Sequence, residues 1–349
     1  MTFSIGIVGA GITGRMAALM CCARGWQVSL FDRGDAAGSS SCSYVSPAML
    51  APYCELDVTE KSVSEMGARA LQRWPEIIRE FSLDVFFQHA GSIVVAYPCD
   101  QAELDRFARS VKLRVGENVM QQISCETLNK MEPDLDPRFQ NGLYFTNEGQ
   151  IDSRGALKAM ADALKARGAA LYFETDIESI HPYEITFNNK VIKFDMVLDC
   201  RGWGAAADVN DLRAVRGEII RCHAPDVKLN RPVRLMHPRW PIYIVPHAND
   251  QYVIGASSIE TVDDGAITLR SAAEMLNAAF AVSAGFAEAR IIETSVGLRP
   301  AFPDNEPKII TENGLIRVNG MYRHGFLLAP VIAEEVCARI ENMKMSMAA

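Results

Sequence analysis

The beginning of the chain constrains its fold more than any other segment. Ile5-Gly6-Ile7-Val8 has the length and composition of a buried strand, and Gly9-x-Gly11-x-x-Gly14 follows it directly. An apolar, helix-like pattern continues through Ala23, and a second strand-like run from Trp26 to Phe31 ends at Asp32. This spacing predicts a β-α-β unit. The first glycine permits a tight turn, the second lets the backbone approach a pyrophosphate, and the third brings helix and strand together. Free N–H groups and the positive dipole end of the helix face that pyrophosphate, so Gly9, Ala10, Gly11, Ile12, Thr13 and Gly14 form the candidate phosphate cradle. Asp32, with Arg33 beside it, lies eighteen residues beyond Gly14. A carboxylate there accepts hydrogen bonds from ribose hydroxyls and disfavours a 2′-phosphate. NADP is therefore not expected, and the motif alone does not separate NAD from FAD.

Composition narrows the remaining classes. Of 349 residues, 49% are hydrophobic, and 35 Lys+Arg stand against 43 Asp+Glu for a net charge of -8. That excludes intrinsic disorder and leaves enough core for two domains or one large α/β domain. An acidic chain without a long basic run is a poor nucleic-acid binder. Arg15 and Arg24 interrupt the N-terminal apolar stretch, which also lacks the basic start of a secretory signal, so no membrane span is expected. The nine cysteines include no CxxC pair. Neither a disulfide framework nor a metal site is expected, and the reading is a cytoplasmic enzyme.

Further along, the pattern predicts helices over 59–81, 101–115 and 153–167, the last begun by Asp152. Residues 85–97 read as paired strands turning at Ala90-Gly91, and two short strands surround Asn188-Asn189. A buried strand over 194–199 runs into Gly202. From 214 to 256 the texture changes to successive strands, followed by a helix over 271–282 and a strand over 290–296. A strand over 315–318 and a helix from about 325 to 343 close the chain.

On these residues the sequence resembles a known family. Gly9–Gly14 with Asp32, then Ser39-Ser40-Ser41 and Ala48-Met49-Leu50-Ala51-Pro52, are similar to the FAD-binding opening of the D-amino-acid oxidase superfamily, nearest its glycine oxidase branch of thiamine biosynthesis. Gly149–Arg154, Val215–Glu218, Tyr243–Pro246, Val253–Ala256, Gly297–Pro300 and Tyr322–Pro330 extend the match in order over almost the whole chain. The resemblance implies an α/β (α+β) fold. It pairs a Rossmann-like FAD-binding domain of the p-hydroxybenzoate hydroxylase type with an interleaved substrate domain on a mixed or antiparallel sheet. Residues 1–82, 141–212 and 296–349 are expected in the first, and 83–140 and 213–295 in the second.

The resemblance also assigns roles. Arg299, after a strand, matches the carboxylate-binding arginine, whose planar fork pairs both oxygens of an amino-acid carboxylate. Tyr243 matches the tyrosine that orients the carboxylate, and Arg323 stands in the turn against flavin and substrate. Ser39, Ser40, Ser41, Ala48, Met49, Leu50, Ile177, Gly202, Tyr322, His324, Gly325, Phe326 and Leu327 complete the expected cofactor contacts. No cysteine lies between Cys222 and Cys337 to link a flavin, so non-covalent FAD is expected. Three departures stand out: Asp32 where Glu is commoner, Ala48 where glycine is common, and Met321 where histidine is usual.

The implied reaction is oxidation of the Cα–N bond of glycine or a small amino acid or amine, by hydride transfer to flavin N5. The imine hydrolyses to a keto acid and oxygen becomes peroxide. An amino-acid dehydrogenase with another acceptor and a non-catalytic flavin-binding partner protein are the alternatives. A homo-oligomer is left open. No histidine spacing points to a metal or a triad, and His324 reads as a bystander to the chemistry. Arg213, Arg216, Arg221, Arg231, Arg234 and Arg239 read as a solvated sheet edge or as a site for an extra anionic group.

Overall fold

The opening strand, Ser4–Val8, pairs in parallel with Gln27–Phe31 on one side and Met196–Asp199 on the other. In the computed structural model, which describes residues 2–238 and 241–348, these strands are the centre of a six-stranded sheet. Ala170–Tyr172 extends it at one edge in parallel, and Leu315–Asn319 at the other, where Lys308–Glu312 adds an antiparallel rim. Parallel strands must be covered on both faces. One face is covered by the helices Ile12–Ala23, Lys61–Phe81, Ser153–Ala166 and Gly325–Ala348, whose apolar residues form the largest core cluster. The other carries a small antiparallel sheet, Ser179–His181, Glu184–Phe187 and Lys190–Lys193, packed through Ile185 onto Val8, Phe31, Val197 and Leu315. Its turn is Asn188-Asn189, with φ of 50° and 55°, the left-handed pair that a type I′ hairpin requires.

The second unit is a nine-stranded mixed sheet. Its long strand Arg213–His223 pairs with Arg290–Ala301 on one side and with Gln251–Gly255 and Ile259–Glu260 on the other. Ile242–Pro246, Val233–Leu235, Ser92–Val95, Asn141–Phe145 and Gln121–Ser124 continue the sheet. The helix Leu269–Val282 covers one face and the helix Gln101–Val115 with residues 51–56 covers the other. A short three-stranded sheet, Met49–Leu50, Gly149–Ile151 and Phe87–Gln88, joins the two units.

Two expectations change. Phe87–Gln88 and Ser92–Val95 do not form a hairpin with each other. The first pairs with Gly149–Ile151, while the second pairs with Asn141–Phe145 and Val233–Leu235. Apolar alternation establishes that a segment is a strand and says nothing of its partner. The strand expected over 290–296 runs on through Ala301 because its ladder with Arg213–His223 continues, so Arg299 lies inside a strand rather than after one. Pro300 is accommodated because this is an edge strand, where a missing N–H breaks no ladder bond. The strands 141–145 and 296–301 both pair within the nine-stranded sheet.

Candidate active site and cofactor cradle

At the end of the opening strand the chain turns through Gly9, at φ +100°, whose N–H donates to Phe31 O at 2.8 Å. A Cβ on Gly14 would lie 1.8 Å from Gly9 O, so only glycine lets the first helix begin this close to the turn. Asp32 locks the same turn, accepting Ala10 N–H at 2.5 Å and Gly34 N–H at 2.7 Å. Ser43 Oγ accepts Ile12 N–H at 3.1 Å. The N–H groups of Gly11, Thr13 and Gly14 make no hydrogen bond among the described residues, leaving the helix end with donors for an anion.

The expected serines are committed to their own turns. Ser39 bonds Asp35, and Ser41 caps the short helix Cys42–Val45. Ser40 and Arg33 are exposed beside Asp32. The hydroxyl that the fold brings to the glycine turn is Ser43, which sequence reasoning missed although it lies two residues past the serine run. Ile177 is half-buried in the cluster containing Val8 and Phe31, next to Gly9 and Asp32.

The first and last helices begin side by side, since a Cβ on Gly325 would lie 3.4 Å from Ile12 Cγ2. Phe326 and Leu327 are buried behind that junction, with Phe326 O held by Trp74 Nε1 at 3.0 Å. Ala48 is buried at φ +53°, the left-handed conformation that favours glycine, and its carbonyl accepts Ile151 N–H. Met49 and Leu50 follow as a short strand against Gly149–Gln150. Gly202 O accepts Asn319 Nδ2 at 2.9 Å below the same end of the sheet.

Above this junction, on the nine-stranded sheet, stand the charged groups. The Arg299 guanidinium lies over Gly217, where a Cβ would meet its Nη2 at 2.2 Å, so that strand needs a glycine there. Its only hydrogen bond is to Ser257 O at 3.0 Å, and no carboxylate pairs with it among the described residues. The side chain is largely removed from solvent but keeps some exposed surface. Burial and then Arg323 lower its pKa to about 10. The Tyr243 hydroxyl is buried without a well-formed hydrogen bond among the described residues, although it faces the Glu55 carboxylate and helps lower its pKa, and burial pushes the tyrosine's own pKa up.

Arg323 pairs with Glu55 at 3.4 Å, and the other Glu55 oxygen lies 3.8 Å from His324 Nδ1. Burial raises the Glu55 pKa, but Arg323, His324 and Arg234 outweigh it, so it stays ionised below the ordinary range. Burial lowers His324, whose Nε2 lies 3.3 Å from Thr59 Oγ1. Tyr322, at φ +45°, reaches the Ser258 hydroxyl at 3.3 Å. Glu55 is the second residue that sequence reasoning missed. It is presented by a segment tied down by Glu148, which is fully buried and accepts Tyr53 N–H at 2.7 Å, Cys54 N–H at 2.8 Å and the Ser92 hydroxyl. Burial lifts the Glu148 pKa to about 7 against those hydrogen bonds.

Comparison with known proteins identifies the scaffold. The family model described as FAD dependent oxidoreductase matches residues 4–339. The chain belongs to the FAD-dependent oxidoreductases. It is 39% identical to a putative thiamine biosynthesis oxidoreductase ThiO of Rhizobium etli, over 95% of this chain and 94% of that one. It is 25% identical to a glycine oxidase of Geobacillus kaustophilus over 97% of this chain and 93% of that one. A crystal structure of glycine oxidase from Geobacillus kaustophilus superposes with a TM-score of 0.85 at 23% identity, covering 98% of this chain and 95% of that one.

The cradle of this oxidoreductase fits FAD. Three N–H groups unpaired among the described residues, at a glycine turn locked by Asp32, suit a diphosphate. The arginines expected on one sheet edge are instead dispersed. Arg213 pairs with Glu260, Arg216 with Glu218, Arg231 with Glu132 and Arg234 with Asp57, while Arg221 is buried and Arg239 lies outside the described residues. Alternating strand faces separate residues that are close in sequence. Among the described residues no cluster suited to a metal ion occurs, and no helix is long and apolar enough to cross a membrane.

Proposed function

We propose that this oxidoreductase oxidises the Cα–N bond of glycine or another small amino acid or amine, giving an imine that hydrolyses to the keto acid, with oxygen as the terminal acceptor. One observation carries the reading: Arg299 is largely removed from solvent, bonds only Ser257 O and pairs with no carboxylate among the described residues. A desolvated guanidinium left unpaired is costly unless an anion completes it, and a substrate carboxylate does so with two parallel hydrogen bonds. The names of the relatives, a thiamine biosynthesis oxidoreductase and glycine oxidases, support the same substrate class.

FAD, when bound, supplies the hydride acceptor. The protein's own residues bind and orient. The Arg299 fork takes the carboxylate, and the Tyr243 hydroxyl, which faces Glu55 in the free protein, supplies a further donor to it. Arg299 and Arg323 are both cationic, so they disfavour a substrate ammonium and hold the amine neutral. Glu55 offsets one of these charges, leaving the group net singly positive, which matches a substrate with one carboxylate. His324, with its pKa lowered by burial, adds no further charge at neutral pH. No general base is required once the amine is neutral. The proposed cofactor-binding unit is 1–82, 141–212 and 296–349 and the substrate unit 83–140 and 213–295, with the strands 141–145 and 296–301 pairing in the nine-stranded sheet.

Anaerobic mixing of the FAD-loaded protein with glycine, sarcosine and D-amino acids is the test. Bleaching of the flavin by at least one member is expected, with stoichiometric peroxide in air. A flavin that no member reduces refutes the substrate assignment. Bleaching without peroxide refutes oxygen as acceptor and leaves a dehydrogenase.

A further inference from the structure

Arg15, the residue immediately after the last glycine of the turn, is fully buried in the first helix. All three guanidinium nitrogens are used: Nε donates to Ala10 O at 2.6 Å, Nη1 to Leu157 O at 2.7 Å and Nη2 to Ala36 O at 2.9 Å. One cation thus ties together the glycine turn, the helix Ser153–Ala166 and the loop carrying the serines. That loop folds close over it, since a Cβ on Gly38 would stand 3.3 Å from Nη2. No carboxylate lies within ion-pair distance of Arg15 among the described residues. The nearby acids are engaged elsewhere, Asp32 with Ala10 and Gly34 N–H and Asp35 with Ser39. Burial accordingly lowers the Arg15 pKa to about 10, with Asp32 and Asp35 only partly opposing it.

A cation buried without a counter-ion is unfavourable, and carbonyl dipoles offset that only in part. The Ala10 carbonyl is also half of the peptide whose N–H belongs to Gly11, one of the donors left unpaired at the helix start. A hydrogen bond to that oxygen polarises the peptide and strengthens its N–H as a donor. We propose that Arg15 is a positioning residue for the FAD diphosphate: it holds the glycine turn and serine loop in register, polarises the Ala10–Gly11 peptide, and receives its missing counter-charge from the bound diphosphate.

The test is calorimetric titration of the full-length apoprotein with FAD, ADP and adenosine. In a folded R15Q variant, FAD and ADP should bind roughly tenfold to a hundredfold more weakly, the range expected for losing hydrogen bonds that involve a charge. Adenosine, which lacks the diphosphate, should change less than about twofold. Unchanged ADP binding, or an equal loss for ADP and adenosine, overturns the proposal in favour of a purely structural role. If R15Q does not fold, the wild type still decides. The Arg15 Nε–H resonance in arginine-labelled protein, assigned with R15K, should move on adding ADP and not on adding adenosine. A resonance that ADP leaves in place overturns the proposal.

Discussion

Replacing Arg299 with methionine should make the protein more stable and its site useless, and both halves follow from the same geometry. The guanidinium is largely removed from solvent, has one hydrogen bond to Ser257 O and no ion-pair partner among the described residues, and burial lowers its pKa to about 10. At about 1.4 kcal/mol per unit, the folded state of the free protein bears roughly 3 kcal/mol for keeping that charge. Methionine fills a similar volume without the charge, at the loss of one hydrogen bond worth about 1 kcal/mol. The net expectation for R299M is a gain of roughly 2 kcal/mol, a rise in Tm of a few degrees for a chain of this size. Because the folded pKa is lowered, the charge penalty is fully present below about pH 10, so the gain should be flat from pH 6 to 9 and narrow only above that. Binding moves the other way. Losing a bidentate carboxylate contact costs on the order of 2–4 kcal/mol, a thirtyfold to thousandfold weaker Kd.

Thermal unfolding of ligand-free R299M and titration of the FAD-loaded protein with acetate or glycolate, followed by flavin absorbance, measure the two halves. If R299M is less stable than wild type and still perturbs its flavin at wild-type carboxylate concentrations, Arg299 is a structural cation and the proposed site is wrong.

Other perturbations isolate single parts of the site. Gly217→Ala introduces a Cβ within 2.7 Å of three guanidinium atoms of Arg299, at the end of a flexible side chain; carboxylate affinity should fall about tenfold while stability changes by less than about 1 kcal/mol. Glu148→Gln removes a buried acid whose folded pKa is raised from 4.5 to about 7. A raised carboxyl pKa makes wild-type stability fall as pH rises from about 4.5 to 7 and level off above, a loss of roughly 3 kcal/mol that denaturant unfolding at pH 5 and pH 8 should not find in the variant. Glu55→Gln leaves Arg323 without its partner, so malonate should gain on acetate as a flavin-perturbing ligand by about tenfold. Asp32→Ala takes the acceptor from Ala10 and Gly34 N–H and should weaken FAD by roughly tenfold to a hundredfold in fluorescence titration.

What the chain reveals before folding follows the range of the interactions involved. The glycine turn was legible because its constraints are local: Gly14 must be small on account of Gly9, five residues earlier, and Asp32 closes the turn within the same β-α-β unit. Arg299 and Tyr243 were not legible in this way. Pattern alone leaves an arginine in an edge strand and a tyrosine in a central one with ordinary structural roles, and only the family resemblance singled them out. Glu55, Ser43 and Arg15 escaped both routes. Glu55 acquires its meaning from Arg323, 268 residues away, and Arg15 from Leu157, 142 residues away. Before those partners meet, each is one charged residue among many, and no periodicity marks it. The false hairpin at Ala90-Gly91 failed for the same reason, since Val94 finds its neighbours in Leu143 and Arg234. In this fold the cofactor cradle is written in adjacent residues. The charge balance of the proposed substrate site draws on a loop, a distant strand and the turn before the last helix, and it exists only once folding has brought Arg323 to Glu55 and Arg299 near both.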